Sequence, residues 1–139
     1  MSSYWEEAAY GEPPLADLER FDTTHVFGWL HQHFAVRGSK IDWSNALGKH
    51  GHWKVSDDAH MVEVVGREVG LRLQSGAVVE HVGDGLSPFG VRFGGTDAPG
   101  IVGALLEIPE HHYFLAEDRS WIVVAATEGD IDVLDIAAR

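Results

Sequence analysis

The second half of the chain is a succession of short apolar segments cut apart by turn residues, and this pattern restricts the fold more than any other. "AVVEHV", "FGVRF", "HHYFLAE", "SWIVVAAT" and "DIDVLDI" follow one another between residues 77 and 136. "GDG", "GGTDAPG", "EDR" and "EGD" separate them. Each segment is β-branched or aromatic and of strand length, and each separator carries turn chemistry. Connections this short join antiparallel neighbours, because a parallel pair needs a long crossover. Upstream, "VGLRLQ" (69–74) alternates strictly and reads as one more strand. "AHMVEVVGREVG" fits either a helix capped by Asp57 or a strand, and "APGIVGALLEI" fits either a helix or a buried strand.

The N-terminal part has helical period. Asp22 is a plausible N-cap for "TTHVFGWLHQHFAV", with Arg37-Gly38 as the stop. Val26, Phe27, Leu30 and Phe34 make one stripe with Trp29 on its edge. A shorter helix is expected over "WSNALG", capped by Asp42 and ended by Gly48. At 139 residues the chain makes one domain, with residues 1–14 as a loosely docked leader that ends in "GEPP". The architecture these readings predict is α+β, with N-terminal helices packed on one face of an antiparallel sheet.

Composition narrows function. Twenty-two acidic against ten basic residues give a net charge of −12, which repels a phosphate backbone, so no nucleic-acid partner is expected. Such a surface draws basic proteins instead. No window is apolar enough for a membrane span, and the acidic start "MSSYWEEAAYGEPP" is unlike a secretory signal, so a cytoplasmic location is expected. The absence of cysteine excludes disulfides, thiolate metal sites and a cysteine nucleophile.

Nine histidines raise the question of a metal. On a helix, residues two apart point to nearly opposite sides, so His31 and His33 of "HQH" cannot chelate one ion. One of the two is expected to be partly buried. His50 and His52 of "GKHGHW" would share a face if extended, and Asp57, Asp58, His60, Glu63 or Glu110 would have to complete the site. A small metal-dependent enzyme centred on His50 and His52 is therefore one alternative. The spacing matches no complete ligand pattern, so a glycine-containing turn is the preferred reading, and no metal or other cofactor is expected. No phosphate loop, serine elbow or isolated carboxylate pair specifies a reaction, so no catalytic residue is assigned. A ligand pocket between helix and sheet is the second alternative.

Aromatic and acidic residues then suggest binding. Trp29 and Trp121 fit core positions, whereas Trp43 and Trp53 bracket the histidine-rich turn. Asp57, Asp58, Glu110, Glu117, Asp118, Asp130 and Asp132 crowd the remaining turns and the last strand. These nine residues, Trp43 and Trp53 with the seven acids, are the expected contacts for a basic partner. A compact acidic α+β chain ending in "HHYFLAEDRSWIVVAATEGDIDVLDI" resembles the small immunity proteins that neutralise bacterial polymorphic or contact-dependent-inhibition toxins. The resemblance implies a binder rather than an enzyme, whose partner is a toxin domain, often a basic nuclease.

Overall fold

A computed structural model describes residues 4–37, 40–42, 48–73, 77–94 and 98–136. In chain order these form α1 (Tyr4–Ala8), β1 (Glu19–Phe21), α2 (Thr24–His33), β2 (Ala35–Arg37), β3 (Lys40–Asp42) and β4 (Lys49–Lys54). There follow α3 (Asp58–Arg72), β5 (Val79–Gly83), β6 (Gly90–Phe93), α4 (Ala98–Leu106), β7 (His112–Ala116), β8 (Trp121–Ala125) and β9 (Asp130–Asp135). Seven strands make one antiparallel sheet in the order β1-β6-β5-β7-β8-β9-β4, and β2 and β3 pair separately. The α+β class and the antiparallel sheet are as the sequence predicts. No helix among the described residues is long and apolar enough to cross a membrane.

The helices are divided between the two faces of the sheet. Alternate residues Phe114, Val123, Ala125, Ile131 and Val133 join a cluster with Val64, Val65 and Val69 of α3 and Ile101, Val102 and Leu105 of α4. The intervening residues Tyr113, Leu115, Ile122, Val124 and Leu134 join Val26 and Leu30 of α2. Coverage on both faces explains why β5, β7 and β8 are buried at every position. The leader is anchored by Tyr10, and the chain just after it by Leu15, both fully buried, while Tyr4 is exposed.

Three local expectations are corrected. Residues 69–72, expected as strand, continue α3. Asp57 caps this helix by accepting from the His60 N–H at 2.7 Å. Its buried stripe is Val64, Val65, Glu68 and Val69, so helical burial upstream overrides the local alternation, and Leu71 faces solvent. At the far end Arg72 grips Asp135 of β9 through two hydrogen bonds of 2.8 and 2.7 Å, and donates to Glu68 as a second partner. The second correction is that α2 stops at His33 rather than Arg37, since Ala35–Arg37 pairs with Lys40–Asp42. Asp22 still supports the helix start, accepting from the Thr24 N–H at 2.8 Å. Asp42 ends β3, and residues 43–47 of the expected short helix lie outside the described residues.

The third concerns "GKHGHW". It is not a turn but the edge strand β4, laid antiparallel on β9 from Lys49↔Asp135 to Lys54↔Asp130. Gly48 enters the strand at φ +122°, and a side chain there would strike the Asp135 carbonyl, so only glycine fits.

Candidate functional site

Antiparallel pairing sorts the connections to the two ends of the sheet. At one end lie the close of β5, the start of β7, the β8–β9 turn, the first turn of α3 and the residues after α4. Asp57, Asp58, Asp84, Glu107 and Glu128 are all exposed there, and Asp130 is partly so. Asp58 and Glu107 have no ion-pair partner among the described residues. Between α3, α4 and the ends of β7 and β8 this acidic end opens into a cleft of about 230 Å³. Its walls include Met61, Val62, Gly103 and Leu106, its mouth Asp58 and Glu107, and its floor His112.

Glu110, expected as a partner contact, is instead built into the wall. It is buried, and its Oε1 accepts the N–H groups of Gly85, Leu86 and Ser87 at 2.9, 2.6 and 3.1 Å. Ser87 Oγ donates to its Oε2 and accepts in turn from the Tyr10 hydroxyl at 2.8 Å. One carboxylate thus supplies the missing partners of residues 85–87, and both of its oxygens are engaged. Burial, with the Glu110 charge adding to it, pushes the Tyr10 hydroxyl up to about 12. Gly83 is required beneath, since a side chain there would overlap the Glu110 carboxylate.

The floor residue His112 belongs to a buried imidazole pair. His112 Nε2 lies 2.7 Å from the Ile108 carbonyl, which can only accept, so that nitrogen carries the proton. His112 Nδ1 is then an acceptor, and it lies 2.9 Å from His81 Nε2, which must donate. The series ends at His81 Nδ1, a buried lone pair with no partner among the described residues. Burial holds both rings below the ordinary histidine range, helped at His81 by the neighbouring His112. Because both His112 nitrogens are committed, the ring cannot serve as a general base for anything in the cleft.

The remaining expected residues fall elsewhere. His50 Nε2 meets Asp132 at 2.8 Å and His52 Nε2 meets Asp130 at 3.1 Å, diagonally across the β4–β9 pair. Each histidine faces its own aspartate, while Asp57 caps α3 and Glu110 closes the 84–87 loop. Among the described residues no group of three or more His, Asp or Glu could hold a metal ion. His31 and His33 are both exposed, where one was expected to be partly buried; His33 stacks on Trp29 at 4.8 Å. Trp53 is half-buried, its ring folded over Gly51 and against the core, so only part of it faces outward. Glu117 and Asp118 are exposed at the opposite end of the sheet, where Asp118 accepts from the Ser120 N–H at 3.0 Å. That bond holds its carboxyl below the usual range. Trp43 lies outside the described residues. The acidic end therefore gathers Asp57, Asp58 and Asp130 and separates them from Glu117 and Asp118.

Sequence reasoning also missed the most deeply buried carboxylate, Glu80. Its Oε2 accepts from Arg92 Nε at 2.7 Å, and Arg119 Nη1 lies 2.6 Å from Oε1 as an ion contact outside hydrogen-bond geometry. Burial alone would raise its pKa, but the two guanidinium groups outweigh it and hold the carboxyl below its usual value. Arg92 also covers the Phe21 ring at 4.4 Å, and Arg119 lies over Trp29 at 5.5 Å. The cluster ties β5 and β6 to the α2 face. Its only sequence signal is a glutamate set among apolar residues in "AVVEHV". No protein-family model, curated protein or solved structure matches the chain.

Proposed function

We propose that this chain is a cytoplasmic protein-binding inhibitor of the toxin-immunity type, which engages a basic partner domain with its acidic end. One observation carries the reading. Five exposed carboxylates from four separate segments, Asp57 with Asp58, Asp84, Glu107 and Glu128, meet at one end of the sheet. Like charges brought together repel, and they focus a negative field that a basic domain would neutralise. The rest of the molecule offers chemistry little purchase: His112 is saturated and Glu110 is occupied by the 84–87 loop. An inhibitor of this kind needs no reaction of its own. It occludes the partner's site by occupying it.

The test is association with the polypeptide encoded beside this chain, followed by stopped flow at rising sodium chloride. The on-rate should fall steeply with salt, and reversal of Asp58 and Glu107 to lysine should lower it by roughly tenfold at low salt. Reversal of Glu117 and Asp118, at the other end, should change it far less. Salt-independent association, or equal sensitivity of the two ends, would reject the reading.

A further inference from the structure

The cleft in the acidic end constrains what the partner must present. Two occupants compete: a lysine or arginine side chain entering tip first, and an apolar side chain flanked by basic residues. The ionisable side chains at the floor, His112 and Glu110, offer an incoming cation no free acceptor. His112 Nε2 is spent on Ile108 and its Nδ1 on His81, and Glu110 already takes its four donors from residues 85–87. A buried charge without a fresh partner is strongly disfavoured. An apolar side chain meets the opposite situation. Met61, Val62 and Leu106 are half-buried and line the walls, and methionine adapts its shape to an incoming group. An engineered apolar cavity of about 150 Å³ holds benzene, so about 230 Å³ accommodates one aliphatic or phenyl side chain. The free carboxylates Asp58 and Glu107 sit at the mouth, where residues flanking such an anchor would lie. An apolar centre inside a charged rim is also the usual arrangement of a binding hot spot.

We infer that the cleft between α3 and α4 is an anchor pocket, which receives one apolar side chain of the partner while flanking basic residues pair with Asp58 and Glu107. The inference rests on the acidic-end reading above and adds to it the chemistry of the segment recognised: basic, apolar, basic. The pocket supplies affinity by burial, and the rim supplies orientation and encounter rate.

Met61 makes the test direct, because the chain has only one other methionine, Met1. The full chain, labelled at methionine methyl groups, is titrated with acetyl-Lys-Arg-Leu-Arg-Lys-amide, with the same peptide carrying Ala for Leu, and with acetyl-Gln-Gln-Leu-Gln-Gln-amide. The basic leucine peptide should shift the Met61 methyl and bind about tenfold more tightly than its alanine counterpart. The neutral peptide should bind far more weakly. Gly103→Leu, whose added side chain starts beside Val62 across the cleft, should abolish the advantage of leucine over alanine while leaving the basic contribution. Equal affinities for the two basic peptides, or an unmoved Met61 methyl in the wild-type chain, would overturn the anchor pocket and leave the acidic-end reading standing. If neither basic peptide outbinds the neutral one, both readings fall together.

Discussion

Lowering the pH should destabilise this protein before its carboxylates begin to titrate, and the imidazole pair is the cause. His81 and His112 are held neutral in the fold, with pKa values below that of an ordinary histidine. The unfolded chain returns them to about 6.5. A base with a depressed folded pKa binds more protons when unfolded, so its contribution to stability is complete above about pH 6.5 and drains away as pH falls. One unit below that value, each ring that stays neutral in the fold costs about 1.4 kcal/mol, a sizeable part of the stability of a domain this size. Glu80 acts in the same direction only lower down, once pH approaches the carboxylate range. The critical variant is His81→Gln. Its amide can still donate to His112 Nδ1, yet it removes one of the two titrating groups. Urea unfolding between about pH 7 and pH 5 should give a slope for His81→Gln close to half that of the wild type. A flat wild-type profile over that range, or an unchanged slope in the variant, would refute the tautomer assignment and the neutral pair with it.

Three further outcomes follow from buried groups and from charge. Gly83→Ala and Glu110→Ala should each cost about 3 kcal/mol by urea midpoint, the first by driving a methyl into the Glu110 carboxylate and the second by orphaning the donors of residues 85–87. Glu80→Gln should cost about 2–3 kcal/mol, below the figure for a fully buried pair because Arg92 and Arg119 reach solvent in part. Glu107→Lys should raise stability by about 0.3–1 kcal/mol while slowing association with a basic partner, read by thermal melting and stopped flow on the same preparation.

The legible parts of the fold are those in which local pattern and tertiary burial agree. β5 to β9 fall where the apolar segments do because their turns carry Gly, Asp and Ser and their interiors are β-branched. β4 was hidden because "KHGHWK" has little strand propensity of its own; its pairing with β9 and the packing of Trp53 hold it extended. Residues 69–72 misled because three alternating apolar residues look like a strand when the preceding turns of helix are ignored. In the candidate site, Asp57, Asp58 and Asp130 were legible as acids. Glu107 and Asp84 join them only through the antiparallel return of β7 and the ends of β5 and α4, which no local window contains. Glu110 could not be read as a loop anchor, because its donors lie at residues 85–87.

The acids of this end do not all serve the fold equally. Asp57 and Asp58 begin α3, where backbone N–H groups and the positive pole of the helix favour carboxylates. Their presence has a structural explanation that needs no partner. Glu107 has none. It directly follows α4, whose last turn contains no basic residue, so it adds negative charge to the negative pole of that helix. It also lines the same cleft as Asp58, and neither has an ion-pair partner among the described residues. Helix polarity and mutual repulsion both favour lysine at this position. A carboxylate that weakens its own helix and opposes its neighbours is better explained by what approaches from outside than by anything within the chain. Glu107 is therefore the residue at which stability and binding should part most clearly, and the lysine variant measures both.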